Sequence, residues 1–567
     1  MSSSSAPSAL LDALHQLRDR LGGCRLSLRI AGRDRVRRVR DELVGQIEDY
    51  LLPRLRALDA PLLVVLGGST GGGKSTIANS LVGAPLSPAG VLRPTTRAPI
   101  LICNPGELDR FGDERILPGL VRTTGAPGGD DAALRVIAHD AVPSGLALLD
   151  APDIDSVVES NRELAGQLLA AADLWLFVTT AARYADAVPW ELLHKAQARS
   201  TAVALVLNRV PGEALDDVPR HLEEMLVANG LGAAQVFVVP ETTLERGMIP
   251  PAQLASVRAW LERLGADAEA RAAVIRTTLE GALGSIEERV GTVTSHVDTE
   301  VATLASLTGL VLGSYERAAR DVEEDLSGGA LLRGEVLARW QEVVGTGDLM
   351  RSLESRIGWL RDRIRRSLMG EPGSAAEVTT ALGSSVETVV VAAAERAAER
   401  SAAAWRDAPA GRPLLEPLGA SLDRSSPRFA RALGDEVRSW QQRVLELVRD
   451  EGAAKRATGR ALSFGVNAVG AALMIMVFAQ TGGLTGAEIA VAGGTATVSQ
   501  KLLEALFGDQ AVRTLTAAAR ADLLERVDRL LTAEADRFGA LLEPLAPGPE
   551  EARELRRAAE AVGAARL

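Results

Sequence analysis

The chain has 567 residues, is 47% hydrophobic but only 3% aromatic, and carries 63 basic against 74 acidic side chains for a net charge of −11. A charged fraction of 24% beside that apolar content excludes a disordered chain, and the acidic balance excludes a general nucleic-acid binder, which would be strongly basic. Two cysteines and five histidines without ligand spacing leave neither a disulfide framework nor a cysteine-based zinc site, so a reducing cytosol is the expected compartment.

The length calls for about two to four structural units. With so few aromatics, burial must come from Ala, Leu and Val, which suits long, closely packed helices. The opening segment MSSSSAPSALLDALHQLRDR lacks the basic and apolar regions of a signal peptide and reads as a Ser-rich tail entering a helix. A stripe through Val36, Val39, Leu43, Ile47 and Leu51 then predicts a helix, and residues 1–59 are expected to pack against helices later in the chain.

From residue 60 to about 250 the pattern changes to short apolar runs alternating with helical stretches. The runs are Leu62–Leu66, Pro99–Cys103, Leu146–Leu149, Leu174–Val178, Val203–Leu207 and Val236–Val239, each the length of a buried strand. They predict an α/β domain with a mostly parallel sheet, whose chemistry should sit at the carboxyl ends of the strands. The first run leads into Gly68-Ser69-Thr70-Gly71-Gly72-Gly73-Lys74-Ser75, a full match to the phosphate-loop pattern G-x-x-x-x-G-K-S/T in its strand–loop–helix setting. Glycines let successive backbone N–H groups face phosphate oxygens, and the helix that follows adds its positive end. Lys74 would reach the β- and γ-phosphates and Ser75 would ligate Mg²⁺. Lysine is otherwise rare, with only Lys195, Lys455 and Lys501 elsewhere, which argues against chance at this position. The overlapping Gly67-Gly68-Ser69-Thr70-Gly71, a nominal nucleophile elbow, is better explained by the same loop.

Asp150-Ala151-Pro152-Asp153 follows the Leu146–Leu149 run, where an acidic group can hold Mg²⁺ through water or cap a helix. Arg93-Pro94-Thr95-Thr96-Arg97 lies between the phosphate-loop helix and the next strand, where a threonine could close over a γ-phosphate. Asn208-Arg209 ends the Val203–Leu207 run.

Phosphate loop, loop threonine, D-x-P and Asn208-Arg209, in this order and spacing, resemble the GTPase domain of the dynamin superfamily, above all its bacterial dynamin-like members. The resemblance covers residues 60–250 by motif and the rest by architecture. By position it implies Gly68, Ser69, Thr70, Gly71, Gly72, Gly73, Lys74, Ser75 and Thr76 as the phosphate-binding segment, and Asn208 with Arg209 as the start of the base-reading N-K-x-D. Thr96, with Thr95 as its neighbour, matches the switch threonine, and Asp150 the aspartate of the D-x-P-G switch. Lys74, Thr96 and Asp150 would then be the catalytic residues, with Ser75, Thr96 and Asp150 as Mg²⁺ ligands. GTP is the implied nucleotide. Three departures qualify this: Asp153 replaces the switch glycine, Pro211 replaces the base-reading aspartate so that ATP stays open, and Thr70 replaces the water-orienting glutamine. Slow or assembly-dependent hydrolysis is the implication, with Arg183 a candidate charge stabiliser.

No proline occurs from residue 252 to 371 or from 428 to 543, and Ile275, Leu279, Leu283, Ile286, Val290, Val293, Val297, Val301 and Leu304 mark one long helix. A bundle or stalk over residues 251–456 follows, with turns near Gly370–Ser374 and Ala408–Pro413. Between Arg460 and Lys501 the only charge is Glu488. Residues 457–508 read as an apolar helical hairpin flanked by Lys455, Arg456, Arg460 and Lys501, either buried in a bundle or, as the resemblance implies, contacting membrane lipid through residues 461–500. Residues 509–567 would supply a returning stalk helix and a short tail. The combined expectation is a nucleotide-driven protein at the cytoplasmic face of the cell membrane, attached or inserted. It would remodel, tether or stabilise that membrane as a homo-oligomer or beside a related dynamin-like partner, with no nucleic acid involved. The alternative is a soluble regulatory P-loop NTPase whose helices form an interaction scaffold.

Overall fold

A computed structural model describes residues 5–68, 70–88, 98–112, 117, 120–123, 133–153, 159–199, 201–327, 373–416, 422–454, 466–479 and 499–566. The chain divides into two compact units: residues 1–26, 32–298 and 547–567 form the first, and residues 27–31 and 299–546 the second.

The first unit is built on an eight-stranded sheet. Its strands are β1 (Leu62–Gly68), β2 (Ile100–Cys103), β3 (Arg122–Thr123), β4 (Leu134–Ala138), β5 (Leu146–Asp150), β6 (Leu174–Thr180), β7 (Ala202–Val210) and β8 (Gln235–Pro240), in the order β3-β4-β2-β5-β1-β6-β7-β8. Every neighbouring pair is parallel except β2 with β5. The mostly parallel sheet expected from the apolar runs is therefore present, and β3 and β4 extend it at one edge.

Central strands are buried on both faces, which is why they read as continuous apolar runs. Leu63 and Val65 of β1 point into one layer with Phe111 of α5 (Leu108–Gly112), Leu168 and Leu169 of α6 (Glu159–Ala170), Leu193 of α7 (Ala187–Ala198) and Leu222 of α8 (Asp217–Ala228). Leu62, Val64 and Leu66 point the other way, onto Ile77 and Leu81 of α4 (Lys74–Val82) and Val257 and Leu261 of α9 (Ala255–Ala266). A third layer joins α1 (Ser5–Gly23), α2 (Arg33–Gln46), α3 (Leu52–Arg56), the first half of α10 (Ala268–Ser327) and a helix at Glu551–Ala564, with Leu17, Leu43, Val290 and Leu555 in its core. Arg54 ties α3 to the sheet through a buried ion pair with Asp173, whose Oδ2 accepts from Arg54 and also from the Leu63 N–H, the latter at 2.8 Å.

The second unit is helical: the rest of α10, then α11 (Gly373–Asp407), α12 (Pro427–Ala454), α13 (Val466–Ala479), a helical turn sequence over 499–507, and α14 (Asp509–Leu542). One apolar core runs through all of them, anchored by two tryptophans. Trp405 donates to the Leu307 carbonyl at 3.0 Å and meets the Phe538 ring edge-on at 5.2 Å. Trp440 donates to the Ala519 carbonyl at 2.8 Å and contacts Phe478 at 5.8 Å between ring centroids.

Of the expected hairpin, residues 466–479 form α13, whose apolar side chains face protein in this structure. Val469 and the run Ala471–Phe478 are buried within this core, packed against α11, α12 and α14. A helix that is hydrophobic all round must have every side covered, and here protein covers it. Gly470 allows the closest approach, since a Cβ there would lie 2.4 Å from Leu445 Cδ2. Among the described residues no helix is long and apolar enough to cross a membrane. Residues 461–465 and 480–498 of the expected hairpin lie outside the described residues.

Candidate nucleotide site

The order of the strands reverses direction at β1, so the crevice outside its carboxyl end is where a doubly wound sheet binds ligands. The sequence places its phosphate loop there. Gly68 closes β1 with φ +144°, and a Cβ on it would sit 2.1 Å from the Val178 carbonyl oxygen of β6, so only glycine fits. Gly73 caps α4 in the left-handed region at φ +99°, and a Cβ there would strike the Asn208 amide at 2.6 Å. These two positions bring the start of α4 against the ends of β6 and β7.

Lys74 is buried, and its Nζ donates to the Gly68 carbonyl at 2.9 Å and to Asp153 Oδ1 at 2.5 Å. The side chain thus curls back over its own loop, the posture needed to hold charge at the loop's mouth. Ser75 is buried beside Asp150 at the end of β5. Burial holds the Asp150 carboxyl above the usual carboxylate range, and the Ser87 and Ser75 hydroxyls and the Lys74 ammonium pull it part of the way back. Ser87 Oγ donates to Asp150 Oδ2 at 2.5 Å. Asn79 of α4 fixes that serine, accepting from the N–H groups of Leu86 and Ser87 at 2.9 and 2.7 Å and donating to the Ser87 carbonyl at 2.7 Å.

The other oxygen of Asp150, Oδ1, is buried and has no hydrogen-bond partner among the described residues. A buried carboxylate oxygen left unpaired beside a serine hydroxyl suits a cation bridged to phosphate oxygens. Among the described residues no cluster of three His, Cys, Asp or Glu side chains could hold a metal by itself, so any ion here would depend on ligand oxygens as well.

Asn208 Nδ2 donates to the Gly72 carbonyl at 2.9 Å, and its Oδ1 accepts the Arg209 N–H at 2.9 Å. Arg209 sits at φ +56°, a left-handed bend rare for a side-chain-bearing residue, and its side chain is exposed. Arg183 Nη1 donates to the Thr70 carbonyl at 2.9 Å and its Nε to Asp186 at 3.0 Å, so the arginine reaches the phosphate loop. Thr76 lies in the first turn of α4, its carbonyl accepting from Ser80 Oγ at 2.6 Å.

The structure therefore brings together Gly68, Thr70, Gly71, Gly72, Gly73, Lys74, Ser75, Thr76, Asp150, Asn208 and Arg209. Ser69, Thr95 and Thr96 lie outside the described residues. Pro211 follows β7 with no carboxylate in its place, and Asp216 and Asp217 are exposed, the latter paired with Arg220 at 2.5 Å. Sequence reasoning missed two features: the Lys74–Asp153 pair and the Asn79–Ser87 clamp behind Asp150. No local sequence pattern marks either one, since each joins residues from separate segments of the chain.

No family model and no curated protein matches the chain. Among solved structures, two from studies of an oligomerised bacterial dynamin pair, described as providing a mechanism for long-range sensing and tethering of membranes, align with it. One is 10% identical with a TM-score of 0.37, covering 93% of this chain and 94% of that one; the other is 11% identical with a TM-score of 0.39, covering 93% and 91%. The bacterial dynamin GTPase LeoA from ETEC aligns at 12% identity and a TM-score of 0.21, covering 100% of this chain and 99% of its own.

Proposed function

We propose that the chain is a dynamin-like P-loop nucleoside triphosphatase that binds GTP with Mg²⁺, hydrolyses it slowly or on assembly, and uses the cycle to tether or reshape the cytoplasmic face of a membrane as an oligomer. The observation that carries the reading is the convergence of Lys74, Ser75, Asp150 and Asn208 on one glycine loop at the switch point of a parallel sheet. Backbone N–H groups of Gly71 to Ser75 would bind the phosphates, and Lys74 would neutralise charge between the β- and γ-phosphates. Asn208, held by Gly72, would brace the loop and face the base. Arg183, already on the Thr70 carbonyl, is placed to offset charge that develops during transfer. Ser75 and the free oxygen of Asp150, with Thr96, would hold Mg²⁺, which when bound supplies charge neutralisation at the bridging phosphate oxygens. Pro211 removes the carboxylate that would reject adenine, so GTP and ATP must be compared directly.

A second reading is favoured by α13. Its burial among α11, α12 and α14 supports a regulatory NTPase whose bundle is an interaction scaffold and whose apolar segment is core. Membrane contact through residues 461–500 would require α13 to leave that packing. Flotation of the purified chain with anionic liposomes, alone and with GTP or ATP, separates the two. Nucleotide-dependent flotation that deletion of residues 461–500 abolishes supports the membrane reading. A chain that hydrolyses nucleotide yet stays with the unbound fraction in every condition supports the scaffold.

A further inference from the structure

We propose that Asp153 is a specificity-determining residue that makes the site favour nucleoside diphosphate over triphosphate. The inference rests on the nucleotide reading of the loop and adds to it the phosphate state the resting site prefers. Lys74 is the charge that would meet the terminal phosphate, and in this structure Asp153 holds it at 2.5 Å, with side-chain exposures of only 4% for the lysine and 12% for the aspartate. The pair is thus largely withdrawn from solvent, where a carboxylate on an ammonium is a strong contact and an unpaired charge is costly. The ammonium is a compact point charge that donates both to the Gly68 carbonyl and to Asp153. Asp153 is held there by a short stem: β5 ends at Asp150, and Ala151 and Pro152 are buried behind it.

A triphosphate brings its terminal phosphate to the same lysine. It must displace Asp153, and the terminal phosphate and the displaced carboxylate then compete for the one lysine. A diphosphate needs only the near side of Lys74 and lets Asp153 keep its place, the carboxylate standing where a terminal phosphate oxygen would be. Glycine or asparagine at 153 removes that negative charge while leaving the loop.

The test is a titration of the full chain and of Asp153→Asn and Asp153→Gly with GDP, GTP, ADP and ATP in excess Mg²⁺, read as the ratio of diphosphate to triphosphate Kd. Both variants should shift the ratio toward triphosphate by about tenfold or more, since truncating one member of a desolvated charge pair has effects of at least that size. A role confined to loop structure would move both affinities together and leave the ratio at its wild-type value, which would overturn the assignment. Failure of the wild type to bind any of the four would overturn the nucleotide reading as well. Binding lost in Lys74→Ala together with an unchanged ratio in both Asp153 variants would leave that reading standing and remove Asp153 alone.

Discussion

Two of the buried carboxylates, Glu534 in the helical unit and Asp150 in the sheet unit, show two different uses of a buried charge. In the helical unit Glu534 of α14 lies in the core, but both of its oxygens are occupied: one accepts the Ser426 N–H at 2.6 Å and the other the Ser426 hydroxyl at 2.8 Å, with Arg537 alongside. Ser426 in turn accepts the Phe429 N–H at 3.1 Å, so the whole cluster serves as the N-terminal cap of α12. In the sheet unit Asp150 is as deeply buried, yet among the described residues one oxygen has no partner. Glu534 works as a structural cap; Asp150 stands beside a lysine, a serine and a glycine loop, the setting in which we propose that a ligand completes it.

The comparison predicts that the two regions fail in different ways when altered. The largest effect should be in the helical core: Phe478→Ala removes the ring that meets Trp440 and should cost about 3–5 kcal/mol in urea unfolding. Nucleotide affinity should stay at the wild-type value. A variant that unfolds normally but loses nucleotide would break the division of labour. Next, Asn79→Ala removes the three hydrogen bonds that position Ser87 and should cost about 1–3 kcal/mol, with weaker Mg²⁺ dependence of nucleotide binding as the second readout.

The smallest effect has the opposite sign. Because burial raises the Asp150 carboxyl above its unfolded value, the folded protein holds that proton more tightly than the unfolded chain does. Its contribution to stability is therefore present at acid pH and lost as the pH rises through the folded value. Asp150→Asn should thus melt slightly higher than wild type at neutral pH without nucleotide. The gain should vanish below about pH 4, where the carboxyl is protonated in both folded and unfolded states. The same variant should lose Mg²⁺-dependent hydrolysis. Thermal melts across pH, with activity beside them, check both halves; a variant that melts lower at neutral pH would contradict the account of Asp150.

Much of the sheet was legible because strands buried on both faces must be apolar throughout: β1, β2, β5, β6 and β7 coincide with runs that length and composition alone pick out, and the edge strand β8, only partly buried, still carries one. β3 is two residues long, and β4 alternates buried with half-buried positions near an edge, so neither presents such a run. The long stripe from Ile275 to Leu304 was equally plain, since a helix of 60 residues repeats its apolar face many times over. The environment of α13 could not be read, because lipid and a protein core ask for the same side chains; only the neighbours decide, and they are α11, α12 and α14. At the site, the glycines and Lys74 were legible from spacing. The grip of Asp153 on Lys74 depends on two strand ends meeting from positions 79 residues apart, which no local pattern encodes.

The central claim is that the loop from Gly68 to Ser75 binds nucleotide phosphates through Lys74. Its most direct test is equilibrium titration of the wild type and of Lys74→Ala with a fluorescent guanine nucleotide in the presence of Mg²⁺. The wild type should saturate, and Lys74→Ala, with an unchanged melting profile, should lose about a hundredfold or more in affinity, as removal of a buried phosphate-pairing charge requires. Full-strength binding by Lys74→Ala, or none by the wild type, would contradict it.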